Sequence, residues 1–164
     1  MGEAKKKLST TQAFVKSHPR CCYCFGNRTS TTREHYPPIT MFVRRDRPND
    51  FVFPACSECN SASRKTDLIL SFLAISTAPS RQDSETQMQK LANGIKKNCP
   101  KSFSELIKSK SGNLQREKSL REKGYDLKVL SLSTHLLSHI ECFAKKLVCS
   151  VYYRDSGKIL NDCY

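Results

Sequence analysis

The chain has 164 residues, with 28 Lys and Arg against 15 Asp and Glu, for a formal net charge of +13. That length fits one ordinary domain, or a small module with an extension, and 38% hydrophobic residues with no Trp leave it only a thin core. The basic surplus excludes indifference to polyanions and favours nucleic acid first and an anionic membrane second; no apolar run approaches the roughly 20 residues that span a bilayer, so no membrane is expected among the partners.

Residues 1–20 carry +4, residues 21–67 carry +2 and residues 68–164 carry +7. Residues 1–7 are charged without an apolar stretch behind them, so a secretory signal is not expected and the compartment reads as cytoplasmic. Residues 1–12 read as a flexible arm, and 1–20 as a basic N-terminal segment. An extended run ends at Tyr36-Pro37-Pro38, because proline forbids helix there, and Phe51-Val52-Phe53 forms a short strand closed by Pro54. From Ser61 the pattern changes: Leu68, Ile69, Phe72, Leu73 and Ile75 recur at helical spacing and predict a helix over about 61–75. Residues 77–84 read as a linker. Met88, Leu91, Ala92 and Ile95 predict a second helix, and Ser102-Phe103-Ser104-Glu105 has the capping-box pattern that opens a short third one. Residues 111–124 read as a polar exposed stretch. Leu136, Ile140, Phe143, Ala144, Leu147, Val148 and Val151 form an apolar stripe that predicts a helix over about 133–150, with a short strand at 158–160 after it.

Nine cysteines, an odd number in a reducing compartment, do not suggest a disulfide framework. Five of them cluster: Cys21, Cys22, Cys24, Cys56 and Cys59. Cys21-x-x-Cys24 and Cys56-x-x-Cys59, separated by 31 residues, can supply four thiolates to one tetrahedral zinc, since two-residue spacing lets one tight turn aim both sulfurs at an ion. Cys22 is an alternative to Cys21, though the spacing fits Cys21 better. Such a zinc is structural and substitutes for core that a small module lacks.

Glu34-His35-Tyr36-Pro37-Pro38 lies between the two pairs, and Asn60, Arg64, Lys65 and Asp67 follow them. Cys-x-x-Cys, Glu-His-x-Pro-Pro, Pro-Ala-Cys-x-x-Cys-Asn and a charged helix start, in that order, resemble the zinc-containing HNH endonucleases of the ββα-metal fold over about residues 20–75. The resemblance implies an α+β protein with a zinc-knuckled ββα module over 21–76 and a mainly helical extension over 77–164. It implies metal-dependent hydrolysis of phosphodiester bonds, in DNA ahead of RNA. His35 would be the general base, which suits an imidazole titrating near neutrality. Glu34 and Asn60 would hold a catalytic Mg2+ or Mn2+, with Asp67 as an additional ligand. Glu34 stands where the family often has Asp, and in a regular strand it points away from the side of His35, so a local bend is expected. The residue that would orient His35 falls at Asn49 or Asp50, neither at the family's commonest spacing.

Arg44, Arg45, Arg47, Arg64 and Lys65 are the candidate phosphate contacts, which give position rather than sequence. His135 and His139 read as helix-surface residues. The apolar stripe of the last helix needs a cover, either the module or a second copy as a homodimer. Two rival readings are a zinc-stabilised module that binds nucleic acid without cutting, and an adaptor that uses zinc for structure alone. A pure binder has no need of the Glu34-His35 pair.

Overall fold

The structure is a computed structural model that describes residues 9–48, 50–77, 82–125 and 131–161. Among these are six α-helices, a two-stranded antiparallel sheet and two 3-10 turns, an α+β composition. The helices are α1 (Thr10–Ser17), α2 (Ser57–Ala62), α3 (Arg64–Thr77), α4 (Gln82–Asn98), α5 (Pro100–Glu122) and α6 (Thr134–Ser156); the strands are β1 (Thr32–His35) and β2 (Val52–Ala55). No helix among the described residues is long and apolar enough to cross a membrane.

The chain forms two compact units, one of residues 1–39, 46–64 and 144–164, the other of residues 40–45 and 65–143. This division differs from breaks at 20 and 76: residues 65–76 join the helical unit, and the last 21 residues join the cysteine-bearing one. The reason in both places is the burial of helix side chains described below.

In the first unit, β1 pairs with β2 so that Thr32, Arg33, Glu34 and His35 stand opposite Ala55, Pro54, Phe53 and Val52. Pro54 therefore lies within β2 instead of closing it. A two-stranded sheet has only edge strands, so a proline there forfeits no obligatory ladder bond. Phe53, Pro54, Ala55 and Tyr36 are buried and supply much of this unit's small core. The N-terminal segment is helical rather than a loose arm over Thr10–Ser17: Ser9 and Gln12 form a reciprocal capping box, with Oγ of Ser9 accepting from the Gln12 amide at 3.2 Å and Oε1 of Gln12 accepting from the Ser9 amide at 2.8 Å. Residues 1–8 lie outside the described residues. So do 78–81 of the expected linker, and α4 starts at Gln82, inside that stretch. Residues 158–160 form no strand.

The second unit is helical. Ile69, Leu70, Ile95, Cys99, Leu106 and Leu136 make its buried core, flanked by Phe72, Leu73, Phe103, Ile140 and Phe143. Gly94 lets α3 and α4 come close, since a Cβ there would stand 3.3 Å from Cδ1 of Leu68. Three expectations are corrected here. The capping box at Ser102 is not used: α5 starts earlier, capped at Cys99 with Pro100 in its first turn, and Oγ of Ser102 instead pairs with Nε2 of His135 at 3.0 Å. The polar stretch over 111–124 is mostly helix, α5 running to Glu122. His135 and His139 are half-buried rather than surface residues, His139 pairing through Nδ1 with Oγ1 of Thr66 at 2.9 Å. Burial, and then the neighbouring His135, hold His139 below the ordinary imidazole range.

Past Phe143 the apolar stripe of α6 holds only at the half-buried Leu147. Ala144, Val148 and Val151 are exposed, while Lys146, Cys149 and Ser150 are buried. Val148 and Val151 are apolar but face outward because the helix turns a different stripe, spaced by three and four residues, into the first unit.

Candidate metal centre and flanking residues

Two turns carry the thiols. Arg20 and Thr29 form an antiparallel bridge, and within that loop the Cys21 amide donates to the Arg28 carbonyl at 2.9 Å, the Gly26 amide to Cys21 at 3.0 Å and the Asn27 amide to Cys24 at 2.9 Å. Phe25 and Gly26 have φ of +53° and +77°; Gly26 takes this left-handed backbone without steric cost, which is what folds the chain back past Cys24. The second pair sits at the start of a helix. Cys56 is the N-cap of α2, its Sγ accepting from the Cys59 amide at 3.4 Å. A thiol thus serves as cap and presents its sulfur alongside that of Cys59.

The four sulfurs of Cys21, Cys24, Cys56 and Cys59 lie within 4.8 Å of one another. Tetrahedral zinc with Zn–S bonds of about 2.3 Å separates its sulfurs by about 3.8 Å, so the cluster could hold a metal ion such as zinc after small adjustment. It is the only such group of His, Cys, Asp and Glu among the described residues. Burial raises the Cys21 and Cys59 thiols above their ordinary value. Burial opposes ionisation of Cys56 too, but the Cys59 amide, the Cys59 thiol and the Arg28 guanidinium together outweigh it and that thiol is held below its ordinary value. Cys22 is buried outside the cluster, its thiol pushed up by burial and by nearby Cys21 and Cys149. The two-residue spacing therefore picks the right sulfur of the adjacent pair. Cys163 lies outside the described residues.

β1 connects this centre to the Glu34-His35 pair, and it does so without a bend. As a regular strand it alternates, and Glu34 is buried while His35 is exposed. The Tyr36–Pro37 peptide is cis. The His35 imidazole is held below its ordinary value by partial burial, then by the Arg47 and Arg33 guanidiniums. Arg47 is half-buried, with Nη1 at 3.5 Å from the Pro37 carbonyl.

Glu34 meets a partner that the sequence reading omitted. Its Oε1 accepts from Nζ of Lys146 at 2.9 Å, both side chains about nine-tenths buried, and the same ammonium donates to Oγ of Ser63 at 2.7 Å. Nζ also stands 4.5 Å from the ring centre of Tyr36 and 4.9 Å from that of Tyr23. Asn60 lies on the same side of β1, its Nδ2 donating to Oγ1 of Thr32 at 3.2 Å. Asp67 is half-buried on α3 and belongs to the helical unit. Glu34 and Asn60 are oxygen donors of the right type for Mg2+. Their arrangement does not fit it, because an ammonium already balances the carboxylate and aromatic rings wall the pocket. The signal for Lys146 was present in the sequence: Phe143, Lys146, Cys149, Ser150 and Tyr153 follow helical spacing, with a lysine second in the row.

The candidate phosphate contacts fall in both units. Arg64 and Lys65 are exposed at the start of α3. Arg44 and Arg45 are exposed in a 3-10 turn, Val43–Arg45, with φ of +58° at both. Left-handed backbone costs a non-glycine residue roughly 1 kcal/mol or more, and Gln87 helps hold it, donating from Nε2 to the carbonyls of Thr40 at 2.8 Å and Phe42 at 3.3 Å. Arg44, Arg45 and Gln87 then line a groove of about 630 Å3 together with Thr86 and Lys90. Lys90 and Gln87 were not singled out from sequence; they sit on the polar face of an amphipathic helix, where nothing marks one polar residue from another. Of the two candidates for orienting His35, Asn49 lies outside the described residues and Asp50 is exposed with φ of +70°.

Comparison with models of known families, with curated proteins and with solved structures finds no match.

Proposed function

We propose that the chain is a zinc-stabilised nucleic-acid phosphodiesterase of the HNH kind, with His35 as its general base and DNA as its substrate ahead of RNA. The observation that carries this reading is His35 itself: an exposed imidazole whose proton affinity is lowered by partial burial and by two guanidiniums, on a strand whose partner runs directly into the Cys56–Cys59 pair. A zinc on the four thiolates closes its own coordination and serves structure. It ties the loop of Cys21 and Cys24 to the start of α2, and so fixes the ββα order of β1, β2 and α2 around the imidazole. His35 accepts the proton of a water whose oxygen bonds to phosphorus as the P–O3′ bond breaks, the leaving 3′ oxygen takes a proton from solvent, and Arg33 and Arg47 contact the phosphate oxygens as charge builds on them. The groove of Arg44, Arg45 and Lys90 takes a stretch of backbone by charge and hydrogen bonding.

A second reading has its own support. The Glu34–Lys146 ion pair favours a zinc-stabilised module that binds nucleic acid without cutting, since it engages the carboxylate that a metal-dependent cut would use. Conversion of supercoiled plasmid to the nicked form separates the two. The hydrolytic reading expects nicking by the zinc-loaded protein and its loss in His35→Ala, with duplex binding retained in both. Binding without nicking under every divalent condition, or nicking unchanged in His35→Ala, rejects it.

A further inference from the structure

The pocket beside Glu34 already contains a cation, and its walls are made for that one. Lys146 reaches it from α6, in a turn fixed from two sides: Oγ of Ser150 donates to the Lys146 carbonyl at 2.9 Å and pairs with the Tyr23 hydroxyl at 3.1 Å. An ammonium has three N–H donors and no acceptor. Two of them point at Glu34 Oε1 and Ser63 Oγ, and the remaining face of the cation looks onto the rings of Tyr36 and Tyr23. Aromatic faces attract an ammonium through their quadrupole. They offer nothing to Mg2+ or Mn2+, which demand six oxygens at short range and keep several waters. Charge points the same way: one carboxylate balances one ammonium, and a divalent ion added beside them would leave a net charge of +2 in a buried space. Asn60 turns its amide nitrogen to Thr32, within the same side of β1.

We propose that Lys146 is the resident cation of the Glu34 pocket and that this pocket excludes divalent ions, so that no ion held by Glu34 takes part in strand cleavage at His35. The part concerning cleavage rests on the hydrolytic reading above; the part concerning metal binding does not.

The test is an electron paramagnetic resonance titration of Mn2+ into the zinc-loaded full chain, paired with plasmid nicking in divalent-free and Mg2+-containing buffers. The wild-type protein should leave the Mn2+ signal wholly that of the free aqua ion. Lys146→Met should bind no Mn2+ either, because one carboxylate among aromatic rings still falls short of six oxygens. Any effect of Mg2+ on nicking should survive Glu34→Gln. Mn2+ bound by the wild type and released in Glu34→Gln, or a Mg2+ effect on nicking that Glu34→Gln removes, overturns the proposal. Should the variants fail to fold, the wild-type Mn2+ titration decides the matter. Nicking in neither buffer with no bound Mn2+ retires the hydrolytic reading while upholding the assignment of Lys146.

Discussion

Breaking the Lys146–Glu34 pair from one side should cost far more than breaking it from both. The charges are 2.9 Å apart and their side chains are 7% and 11% exposed. At an effective dielectric of ~20 the attraction is about 6 kcal/mol, and desolvation of the two ions offsets much of it. Lys146→Met keeps the aliphatic stem and leaves the Glu34 carboxylate buried with no opposite charge beside it. Glu34→Gln leaves the ammonium with a neutral partner. Each single change should lower unfolding stability by about 3–5 kcal/mol, the range for an orphaned buried charge. The double variant removes both charges and should recover much of that, giving a coupling of at least about 2 kcal/mol. Urea unfolding followed by far-ultraviolet circular dichroism, on zinc-loaded protein at neutral pH, measures all four corners of the cycle. Single losses below ~1 kcal/mol, the range of exposed pairs, or strictly additive losses, would refute the burial argument and with it the cage around Lys146.

Four other outcomes follow from the same geometry. His35 is exposed, so His35→Ala should abolish nicking while moving stability by no more than about 0.5 kcal/mol, read by parallel nicking and urea curves. The imidazole titrates below its ordinary value and acts as a base only when unprotonated. The nicking rate should therefore climb with pH through a midpoint below the ordinary imidazole value of about 6.5, and Arg47→Ala should move that limb to higher pH; a limb well above neutrality would contradict the assignment. Each of Arg44→Ala, Arg45→Ala and Lys90→Ala should flatten the salt dependence of duplex binding by about 0.9 in the log–log slope, measured by fluorescence anisotropy; an unchanged slope in all three would remove the groove from the interface. Ile95 is fully buried in the helical core, and Ile95→Ala should cost about 2–5 kcal/mol by the same urea assay.

What the sequence made legible was whatever depended on local spacing. Two C-x-x-C pairs converge because each needs only one tight turn, and the four-sulfur cluster follows. Proline punctuation placed the strands within a few residues, and strand periodicity alone put Glu34 and His35 on opposite sides; the bend that the resemblance required of them is absent. What could not be read locally was tertiary. Nothing near residue 34 in the chain says that its carboxylate meets a lysine 112 residues away. Past Phe143 hydrophobicity does not mark the buried face of α6 at Val148 and Val151, because this unit buries Lys146 and Ser150 by giving each of them partners. The Ser102 capping pattern failed for a similar reason: His135 competes for its hydroxyl, and Pro100 already starts the helix a turn earlier.

Every part of the site is hung on the four sulfurs, so the most direct measurement is zinc K-edge X-ray absorption on protein purified without added chelator. The account expects about one zinc per chain with a single shell of four sulfurs at about 2.3 Å, and one fewer sulfur in Cys56→Ser. Folded protein free of metal, or a shell in which nitrogen or oxygen replaces sulfur in the wild type, would contradict it.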